Sequence, residues 1–80
     1  MSLYFFHLRD GSDQLLDPEG VELPDLKAAE ARALAAARDM LSEEMKLGRL
    51  DLGYRIEVED ERGRVLHSLP LADAFQMVRS

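Results

Sequence analysis

The sequence predicts an α+β fold in which a three- or four-stranded antiparallel sheet packs against one face of a long helix. Three observations indicate this class: a long apolar run with helical spacing, flanking segments with strand-like alternation, and turn signals between those segments. The predicted order is strand, strand, long helix, strand, strand, short helix (β-β-α-β-β-α). Eighty residues leave room for one domain, covering residues 1–80.

The predicted long helix runs from Asp25 to Leu47. Asp25, directly after Pro24, is a suitable N-cap, and Gly48 suits the position just beyond the C-terminal end. Frequent alanines favour the helix and allow a sheet to pack close to its backbone. Apolar residues recur at steps of three and four and predict one buried face, made of Leu26, Ala29, Ala33, Leu34, Ala37, Met40, Leu41 and Met45.

The segment before the helix predicts a hairpin. Residues 3–9 alternate as a half-buried strand does, with Tyr4, Phe6 and Leu8 on one face, and Phe6 and Leu8 are predicted to lie in the core. Asp10-Gly11 then predicts a tight turn with positive φ, and residues 14–16 form a short return strand. Residues 17–20 form a turn, and residues 21–23 are predicted to be an extended connector into Pro24.

The segment after the helix predicts a second hairpin. Residues 49–53 cross back over the sheet, with Leu50 and Leu52 as candidate core residues. In the next strand Tyr54, Ile56 and Val58 face inward. A loop over residues 60–63 leads to a return strand over residues 64–69, which Pro70 ends. A short closing helix follows, with an apolar face of Leu71, Ala74, Phe75 and Val78.

The sheet face turned away from the helix is the predicted interaction surface, because it mixes aromatic and charged side chains. Its candidate binding residues are Phe5, His7, Arg9, Arg55 and Glu57. Glu59 lies on the same face, and the register of the last strand decides whether Leu66 or His67 joins it. The two histidines with Glu57 and Glu59 could in principle hold a divalent ion, but their spacing matches no metal-binding motif. We therefore expect no metal and no cofactor.

Several functional classes are disfavoured by composition. The chain has a net charge of −6 and no cluster of basic residues, which argues against nucleic-acid binding. It has no cysteine, nucleophile elbow or phosphate-binding glycine loop, so we expect no enzymatic activity. It also has no apolar stretch long enough for a membrane span and no signal peptide. These features predict a cytoplasmic protein.

The chain resembles an uncharacterised family of short bacterial proteins, mainly from proteobacteria of the rhizobial kind. The matching pieces are residues 4–11 (Tyr-Phe-Phe-His-Leu-Arg-Asp-Gly), Asp17 with Glu19-Gly20, residues 22–26, residues 56–58 with Asp60 and Gly63, and residues 69–71 with Asp73-Ala74. Ala72 departs from the pattern, where a small hydroxyl residue is expected. The resemblance implies a bacterial, cytoplasmic, stand-alone domain. It carries no assigned activity and no site residues.

The sequence therefore predicts a small non-enzymatic interaction module. A domain of this size buries a small core, which favours stabilisation by association, so we expect a homodimer or a complex with another protein. The alternative is a small-ligand or metal-binding domain that uses the outer sheet face.

Overall fold

The computed structural model describes residues 1–48 and 51–75. Along the chain it contains strands β1 (Ser2–Arg9), β2 (Gln14–Leu15) and β3 (Val21–Leu23), helix α1 (Leu26–Lys46), strands β4 (Arg55–Glu59) and β5 (Val65–Pro70), and a single 3₁₀ turn at Leu71–Asp73. The predicted α+β class with an antiparallel sheet and one long helix is confirmed.

Within the described part of the chain the sheet has five antiparallel strands, and β1 and β4 lie at its centre. β2 and β3 both pair with the same side of β1, β2 at its C-terminal end and β3 at its N-terminal end. On the other side β1 pairs with β4, and β4 pairs with β5. Residues 21–23, predicted to be an extended connector, form a strand that runs antiparallel to Ser2–Tyr4. The positive φ of Gly20 (74°) lets the chain turn back there.

Helix α1 begins and ends where the sequence predicts. The Asp25 carboxylate accepts the backbone N–H of Ala28 at 2.9 Å, and Gly48 follows the helix with a φ of 79°. Ala29, Ala33, Ala37 and Leu41 form the buried stripe, four residues apart. The prediction for Met45 is wrong, because its side chain is 67% exposed.

The core lies between this stripe and the inward side chains of β1 and β4. Tyr4, Ile56 and Val58 are buried against the helical alanines, while Phe6 and Leu8 pack at the margin and are half-buried. Because alanine has the smallest apolar side chain, the larger residues of the core come from the strands. The helix therefore covers one face of the sheet, and the other face is not packed against it.

The C-terminal part differs from the predicted closing helix. The described residues contain only the 3₁₀ turn, in which Leu71 is buried, followed by buried Ala74. Arg38 of α1 donates from Nε to the carbonyl oxygen of Ala74 at 2.8 Å, which ties the turn to the helix. Phe75 is exposed rather than buried, and Val78 lies outside the described residues.

Two loop predictions also need correction. Leu52 is exposed and does not contribute to the core, and Leu50 lies outside the described residues. Gly11 does not have a positive φ. Instead, the Asp10 carboxylate accepts the backbone N–H groups of Ser12 and Asp13, at 2.9 and 2.7 Å. The Asp10 N–H also donates to the carbonyl oxygen of Asp13 at 2.9 Å, so the turn closes without a left-handed residue.

Candidate functional site: the outer sheet face and the β5 edge

The structure brings the predicted binding residues together on the sheet face opposite α1. Direct cross-strand pairs join Phe5 to Glu59, His7 to Glu57 and Arg9 to Arg55. Since alternate strand residues share a face, all six side chains point away from the helix. We call these six residues the outer-face cluster. Their proximity is a structural finding, and their role in binding stays a prediction.

Arg9 is the hub of the cluster. Its guanidinium donates from one nitrogen to Glu57 Oε1 at 2.6 Å and to Glu59 Oε2 at 2.5 Å. Arg55 donates from Nε to Glu57 Oε2 at 3.1 Å. The hydrogen bond from Arg9 is the main reason that the pKa of Glu57 is lowered, and the hydrogen bonds that Arg9 donates to Glu59 and Glu57 raise its own pKa. Both carboxylates therefore have cationic partners within the protein.

His7 is fixed by hydrogen bonding on one side and by stacking on its ring. Its Nδ1 accepts the backbone N–H of Asp17 at 3.0 Å, so in this arrangement the ring proton is assigned to Nε2. Nε2 lies 3.6 Å from Glu59 Oε1. The Phe5 ring stacks on the imidazole with centroids 6.2 Å apart and an interplanar angle of 13°. His7 is thus a bonded part of the cluster.

Asp17 is the residue that sequence reasoning missed. Its carboxylate accepts the backbone N–H groups of Phe6, Glu19 and Gly20, at 3.3, 3.2 and 3.1 Å. Burial raises the pKa of this carboxyl, but the three hydrogen bonds and nearby His7 outweigh that effect and lower it. The Asp-Pro-Glu-Gly turn was the available sequence signal, since an aspartate side chain in a turn often accepts the backbone N–H groups of the residues two and three positions later.

The two histidines do not form a common site. His67 pairs with Val58, so it lies on the helix side of the sheet, where its Nδ1 is 3.7 Å from Glu30 Oε1. A register shift after Val58 places Val65 opposite Glu59. His7 points from the other face. Among residues 1–48 and 51–75, no group of three potential metal ligands is close enough to hold an ion.

The outer-face cluster is balanced in charge. Two arginines face two glutamates, each ion is in contact with an opposite charge, and the side chains of His7, Glu57 and Glu59 are only 11–14% exposed. An anion or a cation binding here would have to break these pairs and compensate for the loss. The arrangement therefore serves well as a polar cover for the second face of the sheet.

A second surface, the open edge of β5, was not singled out from the sequence. β5 pairs only with β4, so its other side is unpaired within the described residues. None of its six residues is Asp, Glu, Lys or Arg, and Val65 and Leu66 are 52% and 37% exposed. Exposed, uncharged edge strands of this length favour pairing with another strand.

The hydrogen-bonding phase of the ladder shows which backbone groups face that edge. Leu71 donates its N–H to the carbonyl oxygen of Tyr54 at 3.0 Å, and Arg55 pairs with Pro70. In an antiparallel ladder the hydrogen-bonded positions alternate. The amides of Leu69 and His67 therefore face β4, and the N–H and C=O of Ser68 face the open edge.

The opposite edge of the sheet is protected. β2 has two residues and β3 has three, with Pro24 directly after β3. Short strands and proline are common ways to prevent pairing at an edge. Among the described strands, β5 thus offers the longest free ladder.

Comparison with known proteins identifies a family but no activity. A family model described as "Domain of unknown function (DUF6894)" matches residues 3–72. No curated protein and no solved structure matches the chain. Within the described residues, no helix has both the length and the apolar character needed to cross a membrane.

Proposed function

The chain belongs to the DUF6894 family of unknown function, and we propose that it is a non-enzymatic interaction module that associates with itself through the open edge of β5. The single observation that carries this proposal is the uncharged β5 strand, which has one paired side and, among residues 1–48 and 51–75, one unpaired side. When a second strand joins an exposed edge strand, the backbone groups at that edge exchange water for protein partners, and apolar side chains are buried.

Side-chain exposure along β5 supports the proposal. Val65 and Leu66 carry large apolar surface at this edge, and Leu69 is only partly buried by α1. A domain of 80 residues has a small core, so covering these side chains adds useful stability. Because the contact is limited to one strand, we expect a weak dimer that forms at micromolar concentrations.

The outer-face cluster is the basis of the alternative, a small-ligand or metal-binding domain. Its internal ion pairs disfavour that role, because binding would compete with bonds that already satisfy Arg9, Glu57 and Glu59. An increase in Tm with Zn²⁺ or with a small anion would support the alternative. We expect no such increase.

The proposed setting follows from the family resemblance and the charge. We propose a bacterial, cytoplasmic protein, and the net charge of −6 disfavours nucleic acid as a partner. Retention on a single-stranded DNA column at low salt would argue against this part of the proposal.

Light scattering after size-exclusion chromatography tests the proposal. The unmodified chain, measured from about 5 to 500 μM, should shift from monomer toward dimer with rising concentration, a range chosen because single-strand contacts are weak. Leu66→Lys should remain monomeric, because it places a charge at the β5 edge of each copy. Leu15→Lys is the matched control on β2, where Leu15 is 70% exposed, and it should dimerise normally.

Three results would contradict the proposal. The first is a strict monomer at every concentration. The second is a dimer that Leu66→Lys leaves unchanged, and the third is a dimer that Leu15→Lys dissociates. Circular dichroism of each variant establishes that the fold is retained, so that a lost dimer is not mistaken for unfolding.

A further inference from the structure

We infer that the partner of β5 is the β5 strand of a second copy, running antiparallel with Ser68 of one copy directly opposite Ser68 of the other. This inference rests on the proposed function and adds its geometry. The two sheets would then form one continuous sheet around a two-fold axis that passes between the two serines and is perpendicular to the sheet.

The ladder phase selects Ser68 as the central residue. Its N–H and C=O both face the open edge, so two copies of Ser68 can exchange a reciprocal pair of hydrogen bonds. Pro70 has the same phase but has no N–H, and only its carbonyl oxygen can accept a bond. A register that places Ser68 opposite Pro70 would therefore lose donors on both sides of the axis.

The bulge at the N-terminal end of β5 disfavours a dimer register centred nearer to that end. The register shift between Val58 and Glu59 places Val65 opposite Glu59 while His67 is opposite Val58, so Leu66 is the extra residue of a bulge. A bulge bends the strand and interrupts regular pairing. A two-fold centre at Ser68 pairs residues 67–69 of the two copies with one another, so the regular part of β5 lies at the middle of the interface and the bulge residue Leu66 falls at its ends, opposite Pro70 of the other copy.

Charge favours a second copy as the partner. Antiparallel pairing of two β5 strands centred on Ser68 sets β5 residues against β5 residues, with only Ser68 opposite itself, and like charges opposite one another would be destabilising. β5 has no Asp, Glu, Lys or Arg, so self-pairing brings no such charges together at the ladder. The net charge of −6 on each copy lies elsewhere and is screened by salt.

The proposed pairing also extends the core. A two-fold axis perpendicular to the sheet leaves both α1 helices on the same face. On that face Leu69 of one copy becomes the neighbour of His67 of the other, since the two positions flank Ser68. Leu69 already packs at the edge of the core, and a neighbouring strand would complete its cover.

A proline substitution tests the role of the outward amide. Ser68→Pro removes the N–H that faces the open edge and leaves the bonds from His67 and Leu69 to β4 in place. It should abolish the dimer while the monomer stays folded. Ser68→Ala keeps the amide and is the matched control, so its dimerisation should equal that of the unmodified chain.

Spin labelling tests the register directly and does not depend on the proline variant folding. The chain has no cysteine, so a nitroxide on Ser68→Cys reports only that site. Paired backbones at hydrogen-bonded positions lie about 5.5 Å apart, so labels at Ser68 should show strong dipolar broadening. Leu15→Cys is the control, at about 34 Å between copies, which is seven strand spacings of about 4.8 Å. It should show none.

The outcomes separate the inference from the function on which it rests. Broadening at Ser68, none at Leu15 and a monomeric Ser68→Pro variant support the inference. A dimer by light scattering without broadening at Ser68, or with broadening at Leu15, overturns this geometry and leaves self-association standing. A strict monomer overturns both.

Discussion

The carboxylate of Asp17 accepts the backbone N–H of Phe6 at 3.3 Å, at the point where β1 passes from β3 to β2. In the β1–β4 pair, the backbone amides of Tyr4, Phe6 and Leu8 point away from β4, toward the side of β1 that pairs with β2 and β3. Tyr4 pairs with β3 and Leu8 with β2, which leaves Phe6 between them. Asp17 thus supplies the bond that a continuous edge strand would have supplied.

Replacing Asp17 should therefore destabilise the sheet. Asp17→Asn keeps the shape but removes the charge and one acceptor oxygen, so some of the three backbone N–H groups lose their partner. We expect a loss of about 1–2 kcal/mol in the free energy of unfolding, measured with urea. Glu19→Gln is the control, because it removes the same charge from the same turn at an exposed position. A loss as large in Glu19→Gln would show that overall charge, not this hydrogen bonding, is responsible.

Acid should destabilise the protein for a related reason. The pKa of Asp17 is lowered in the fold, with hydrogen bonds outweighing burial, and that of Glu57 is lowered mainly by the bond from Arg9. A lowered pKa means that the unfolded chain binds more protons, so stability is complete above the unfolded values of about 3.9 and 4.3 and is lost below them.

Urea unfolding at a series of pH values measures this effect. The urea midpoint should be nearly constant from pH 6 to about pH 5 and should fall steadily below about pH 4. The combined variant Asp17→Asn and Glu57→Gln should be less stable at pH 6 and show a shallower fall. A midpoint that rises on acidification would contradict the assignment of these two carboxyls.

Local signals in the sequence were enough to predict the ends of the helix and the residues on the outer face of the sheet. Asp25 and Gly48 mark the helix ends through their own conformational preferences, and the alternation around Glu57 assigns each side chain to a face without knowledge of the strand order. The prediction of the buried stripe failed at Met45, because helical periodicity alone does not indicate how far along the helix the burial extends.

Features that depend on distant pairing could not be predicted. β3 is three residues long, and its pairing with the start of β1 is not encoded in its own pattern. The role of Asp17 requires knowing that β2 and β3 leave a gap beside Phe6. The side of the sheet on which His67 lies depends on the register shift that places Val65 opposite Glu59. The open edge likewise appears only once the strand order is known.

Arg9 should contribute more to stability than a typical surface arginine. Arg9→Met leaves Glu57 and Glu59 close together and without their shared cation, so we expect a clear decrease in Tm. Arg64→Met is the control. Arg64 pairs with Asp60 at 2.8 Å, but its side chain is 68% exposed, and such pairs contribute little. Glu59→Gln added to Arg9→Met should restore part of the loss, whereas a purely additive result would argue against the proposed repulsion.

The buried alanines of α1 should not tolerate replacement by larger side chains. Ala33 is fully buried between α1 and the sheet, so Ala33→Leu inserts a branched side chain into filled space. We expect a loss of about 1–3 kcal/mol in the free energy of unfolding. Ala35→Leu, on the exposed side of the same helix, should change stability by less than about 0.5 kcal/mol. Equal effects at the two positions would mean that the helix does not pack as described.

Gly20 should tolerate substitution less well than Gly11. Its φ is 74°, and a Cβ atom would lie 3.0 Å from both the Tyr4 carbonyl oxygen and the Phe5 ring. Gly20→Ala should therefore cost about 1–3 kcal/mol in the free energy of unfolding, from left-handed strain and from displacement of β1. Gly11→Ala is the matched control, because φ there is not positive and no atom lies within 4 Å. That change should be neutral or stabilise by up to about 1 kcal/mol, because alanine restricts the unfolded chain. Thermal unfolding of both variants measures the difference between them. A Gly20→Ala protein as stable as the unmodified chain would mean that the turn into β3 is not held against β1.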